Sequence, residues 1–125
     1  MFTAHFLALV LTNTNMLTGG QGYCAFDFTL RDKTATYSNV EIVLRPLFDP
    51  NDTATGNAKL DDITLGANSV GRKRVKITTD TDCNVTGFSV VKATAIRDGA
   101  SVDLIGSRAL SVGKENQLPI TVDGN

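Results

Sequence analysis

The chain has little to do chemistry with. It carries one His, two Cys and no Trp in 125 residues. The lone His5 leaves no imidazole pair for a metal site and no second base for a Ser or Cys nucleophile. No G-x-x-x-x-G-K run is present to cradle a phosphate. Neither sign of charge is in excess, with 12 basic residues against 13 acidic. That balance argues against nucleic acid as the main partner, since phosphate binding calls for a strong basic surplus. The expectation is a non-enzymatic protein with no cofactor and no metal.

A second absence is local. Met1 to Gly20 hold no Asp, Glu, Lys or Arg. Phe6-Leu7-Ala8-Leu9-Val10-Leu11 is too short to span a bilayer, which takes about 20 apolar residues in a helix. It has the size of a signal-peptide centre. It departs from that pattern in having no Lys or Arg before the apolar run and no Ala-x-Ala site after it. Thr18-Gly19-Gly20-Gln21-Gly22 supplies small residues where cleavage could occur. Residues 1–20 therefore read as a signal peptide or its remnant, and residues 21–125 as the mature domain. The alternatives are an alternating N-terminal strand kept in the fold, or a membrane anchor. About 100 residues suffice for one sandwich or barrel core and leave no room for a second domain.

The cysteines fit export. Cys24 and Cys83 lie far apart, without the close C-x-x-C spacing of metal ligands. Two Cys in an exported domain read as one disulfide. In a reducing compartment they would be two buried thiols.

What the chain does have is Thr and Val, which suit strands, and Asp, Asn and Gly, which suit turns. Cys24, Phe26, Phe28 and Leu30 alternate with Ala25, Asp27, Thr29 and Arg31, as in a half-buried strand. Arg31-Asp32-Lys33 turns the chain. Tyr37 to Leu44 is a second strand with Val40, Ile42 and Leu44 inward, ended by Pro46 and Pro50. Further strands are expected at 60–65, at 72–79 with Val75 and Ile77 inward, and at 83–96, where Gly87 marks a bulge. Asp98-Gly99 is a hairpin signal. It leads into a strand at 101–105, and Leu118, Ile120 and Val122 form the last one. The expected fold is all-β: a seven-stranded Greek-key sandwich of the immunoglobulin or fibronectin type III kind.

Candidate sites are few. Asp49-Pro50-Asn51-Asp52-Thr53 has oxygens for calcium but lacks the EF-hand spacing and reads as a surface turn. Asp61-Asp62 and Asp80 with Asp82 read as turn formers. Asn51-Asp52-Thr53 and Asn84-Val85-Thr86 match the N-glycosylation pattern. Arg72-Lys73-Arg74 with Lys76 could meet an acidic partner or a sulfated glycan. It also suits an edge strand protected by charge. Tyr37, Phe48, Arg72, Lys73 and Arg74 are the candidate binding residues, because exposed aromatic and Arg side chains anchor interfaces.

Three segments carry a resemblance. They are Tyr23-Cys24-Ala25-Phe26-Asp27-Phe28-Thr29-Leu30, then Val40-Glu41-Ile42-Val43-Leu44-Arg45-Pro46-Leu47-Phe48-Asp49-Pro50, then Gly87-Phe88-Ser89-Val90-Val91-Lys92-Ala93-Thr94-Ala95. Together they resemble the secreted bacterial interleukin receptor mimics, over roughly residues 21–125. The resemblance implies a fibronectin type III-like sandwich, like the extracellular modules of cytokine receptors. It implies a protein secreted through the periplasm that binds host interleukins as a virulence factor and forms a strand-swapped homodimer. It transfers no binding residues. Residues 49–57 and 106–116 are the expected hinges for strand exchange. The competing readings are an exported pilus or surface-fibre subunit that accepts a strand from its neighbour, and a periplasmic inhibitor or chaperone.

Overall fold

A computed structural model describes residues 9–34, 36–49, 61–69 and 75–122. Nine strands are seen among them: β1 (Leu9–Gly20), β2 (Tyr23–Asp32), β3 (Ser38–Phe48), β4 (Ile63–Ser69), β5 (Val75–Asp82), β6 (Val85–Arg97), β7 (Ala100–Asp103), β8 (Leu110–Val112) and β9 (Ile120–Val122). One sheet has the order β5-β2-β1-β8. The other has the order β4-β3-β6-β7, with β9 running parallel to the first half of β6. The protein is an all-β two-sheet sandwich of the immunoglobulin and fibronectin type III kind, as expected. The strand count is nine among the described residues instead of seven: β1 is the N-terminal strand named above only as an alternative to a signal peptide, and the short β8 was not anticipated.

The core is built by alternation. Leu9 and Leu11 of β1, Phe26, Phe28 and Leu30 of β2, and Ile42 and Leu44 of β3 are fully buried. Phe88 of β6 reaches across the gap between sheets. Its ring meets Phe26 at 5.3 Å and Phe28 at 5.1 Å, both edge-to-face, the arrangement in which ring edge and ring face attract. Gly87 lies where the Pro119 carbonyl comes so near that a Cβ would sit 2.9 Å from its oxygen. Beside it the register slips: Leu47 faces Gly87 and Phe48 faces Val85, so β6 holds the extra residue of a bulge.

The domain boundary expected at residue 21 is corrected. Leu9–Gly20 form an internal strand of their sheet, paired with β2 on one side and with β8 on the other. The small residues read as a cleavage region are the tip of the β1–β2 hairpin, with Gly20, Gln21 and Gly22 all at positive φ. Pro46 does not end β3, which continues to Phe48. The reason is positional: β4 pairs with β3 only as far as Leu44 opposite Ile63 among the described residues. Among the described residues no strand lies on the flank beyond to receive a bond from Pro46. Asp98 and Gly99 make the expected hairpin, at φ 52° and 77°, the left-handed pair that a type I′ turn demands.

The β2–β3 connection is organised by one carboxylate. Asp32 is fully buried. Its Oδ1 accepts from the Thr34 amide at 2.9 Å and the Thr34 hydroxyl at 2.7 Å, and its Oδ2 accepts from the Tyr37 amide at 2.8 Å. Bonds to a charged acceptor are stronger than neutral ones. Asp32→Asn keeps the shape but turns one acceptor into a donor facing an N–H or O–H. Stability should fall by about 2 kcal/mol in a urea titration, and an unchanged midpoint would refute this role.

Candidate binding surfaces

Phe48 is 42% exposed, as expected of a binding candidate. Tyr37 is not. It is buried at 4% exposure, and the Arg97 guanidinium lies 5.5 Å from its ring centre. The expectation of an exposed Tyr37 is therefore corrected: the residue immediately precedes β3, and the Asp32 turn draws it into the core. Arg72, Lys73 and Arg74 lie outside the described residues, as do residues 50–60, which hold all of the expected surface turn at 49–53 except Asp49. Lys76 is exposed on β5, an edge strand, with Nζ 4.0 Å from the Asp27 carboxylate. Asp82 is a turn former, accepting from the Asn84 amide at 2.8 Å. No group of three or more His, Cys, Asp or Glu that could hold a metal occurs among the described residues.

The surface that stands out is one end of the sandwich. The exposed large apolar side chains among the described residues are Met16, Leu17, Tyr23, Leu47 and Phe48. All five belong to the last residues of β1 and β3 or the first of β2, which run to the same end. Each has a local reason. A bulge between Asn13 and Asn15 shifts the phase of β1, so Met16 comes opposite Phe26 and shares its inward face. Phe48 continues the inward series Val40, Ile42, Leu44, Pro46 past the last covered position. Met16 and Phe48 thus extend the two inner faces beyond the core, while Leu17, Tyr23 and Leu47 lie on the outer faces. The Cys24–Cys83 disulfide closes this end, tying β2 to the β5–β6 turn. The Cys83 amide also donates to the Gly22 carbonyl at 2.9 Å.

No signal in the sequence marked Met16, Leu17 or Tyr23 as surface residues. The first two lay in the stretch read as a leader, and Tyr23 began the alternating β2 pattern. An apolar residue at a strand end next to a Gly-rich turn is the only local hint.

With this two-sheet arrangement in view, comparison with known proteins identifies the fold. The fold is similar to that of IrmA from Escherichia coli. The IrmA structure matches with a TM-score of 0.60 and 20% sequence identity, over 91% of this chain and 98% of IrmA. That coverage exceeds what residues 21–125 can supply, so the match extends into β1. At this identity the likeness to IrmA is one of fold. No protein-family model and no curated protein matches the chain.

Proposed function

We propose that the chain is an exported binding module that mimics a cytokine-receptor domain and engages host interleukins through the apolar end of its sandwich. The observation that carries the reading is the convergence of Met16, Leu17, Tyr23, Leu47 and Phe48 on one end. Aromatic and Met side chains are enriched in interface cores, and scattered single exposures would need no explanation. The fibronectin type III-like fold, shared with IrmA, supports the receptor-module part. The disulfide supports secretion through the periplasm, where such bonds form and persist.

The test is surface plasmon resonance of the full chain over immobilised human interleukins, with an unrelated sandwich domain as control. Saturable binding to at least one is expected. The double substitution Leu17→Asp with Phe48→Asp should weaken it tenfold or more, which corresponds to about 1.4 kcal/mol. Both side chains are exposed, so the fold should tolerate the change. Flat traces across the panel would sink the interleukin reading.

A second reading rests on a different observation. Among the described residues no strand flanks β1 on its β8 side beyond Leu11. Such an edge can accept a strand from another copy, as in a strand-swapped homodimer or a surface fibre. The expected hinge at 106–116 is less free than supposed, since β8 and Asn116 are both bonded to β1. Sedimentation velocity over a range of concentrations decides this reading: a monomer throughout rejects it.

A further inference from the structure

A second surface lies away from the apolar end. An open cleft of about 760 Å³ crosses the outer face of the β1–β2 sheet, within the ~300–1,000 Å³ range of small-ligand sites. Its floor is the outward side chains of β1 and β2, where Val10 is opposite Arg31 and Thr12 opposite Thr29. Its far wall is the segment that follows β8, Gly113 to Gln117.

The wall is held in place by bonds to β1. The Asn13 amide donates to Asn116 Oδ1 at 2.7 Å, and Asn116 Nδ2 donates to the Gly113 carbonyl at 2.7 Å. The Gln117 amide donates to the Asn13 carbonyl at 2.9 Å. Gly113 packs so closely on Thr12 that a Cβ there would collide with the Thr12 hydroxyl. The cleft is therefore preformed, and a ligand entering it orders little.

Its charge is lopsided in a chain that is otherwise balanced. Arg31, Lys33 and Lys114 line it, against Glu115 as the one acid. Among the described residues these three cations have no ion-pair partner. Between them stand the hydroxyl and amide groups of Thr12, Thr29, Asn116 and Gln117. No aromatic ring lines the cleft, so a neutral sugar has nothing to stack on. Nor can a peptide add as a strand along the floor as far as Asn13, because β1 is paired with both β2 and β8 at Leu9 to Leu11 and the Asn13 amide and carbonyl are taken by Asn116 and Gln117.

We propose that this cleft binds a sulfated oligosaccharide. The three cations take the sulfate esters, and the Thr, Asn and Gln groups take the sugar hydroxyls. Sulfates stay ionised at all ordinary pH values, and recognition by Arg and Lys weakens as salt rises.

The test is calorimetric titration of the full chain with a heparin-derived octasaccharide at low salt. Saturable binding that weakens with added salt is expected, with no binding after chemical desulfation. Arg31→Gln, Lys33→Gln and Lys114→Gln together should weaken it tenfold or more, and Glu115→Gln should strengthen it. All four side chains are exposed, so melting temperatures should match the parent. Amide shifts at Thr12, Thr29 and Gln117 locate the ligand on the unmodified chain. Absence of binding by the parent chain, or shifts confined to other residues, would overturn the proposal. So would a triple variant that binds as well as the parent, or a polyglutamate peptide that displaces the saccharide at equal charge.

Discussion

Reducing the Cys24–Cys83 bond should lower the melting temperature by about 15 °C. The bond joins residues separated by 59 positions. Closing a loop of that length removes unfolded-state entropy amounting to about 4 kcal/mol in the chain-entropy model. Little of this should be recovered by new contacts. Cys24 is 2% exposed within the core, and Cys83 packs against it, so two thiols would occupy almost the same space as apolar groups. The loss falls on the unfolded chain more than on native packing. Two measurements separate the causes. Scanning calorimetry with and without dithiothreitol gives the shift. The double variant Cys24→Ala with Cys83→Ala should melt near the reduced parent and be insensitive to reductant. A parent melt unmoved by reductant would mean that the cross-link contributes nothing. The same bond closes the apolar end, so reduction should also loosen the surface on which interleukin binding is proposed.

The legible parts of this fold were those where the side-chain period survives intact. Cys24, Phe26, Phe28 and Leu30 alternate without interruption, and β2 lies where the pattern puts it. Asp98-Gly99 specifies its turn by backbone chemistry alone, and the turn is there. β1 was read differently because two signals coincide in it. Its apolar start resembles an export segment, and the bulge at Asn13 to Asn15 moves the inward series from odd positions to Met16. A local pattern cannot show that a polar residue, Asn13, is buried in the middle of a strand. β8 was missed for a related reason. Three residues are too few to show a period, and Leu110–Val112 are held as a strand by β1, which is distant in sequence. The apolar end and the cationic cleft were illegible for the same cause. Each assembles residues from strands whose neighbours are set by the packing of two sheets.

Asn13 connects these points, and Asn13→Ala should cost about 3 kcal/mol. The side chain is fully buried and every polar atom is used. Its Nδ2 donates to the Asp27 carbonyl at 2.9 Å and the Asn15 carbonyl at 3.2 Å, holding the bulge in shape. Its Oδ1 accepts from the Leu118 amide at 3.0 Å, fastening the chain just before β9. Alanine leaves the half-buried Leu118 N–H without that acceptor, at about 1 kcal/mol, the lower end of the cost of an unsatisfied donor. Loss of both Nδ2 bonds adds about 1 kcal/mol each at most, partly offset where water enters. The backbone bonds from Asn13 to Asn116 and Gln117 remain, so the wall of the cleft should loosen without detaching. A urea titration gives the global loss. Hydrogen exchange at Leu118 gives the local one and should rise more than exchange at Phe88, in the centre of the core. If both rise together, Asn13 acts on the whole fold and not on the 113–118 segment. If the midpoint moves by less than about 1 kcal/mol, the buried amide is not the fastener that its bonds imply. The cations of the cleft are untouched by this substitution. Sulfated saccharide should therefore still bind to Asn13→Ala, but more weakly, because the wall carrying Lys114 is no longer held in place beforehand.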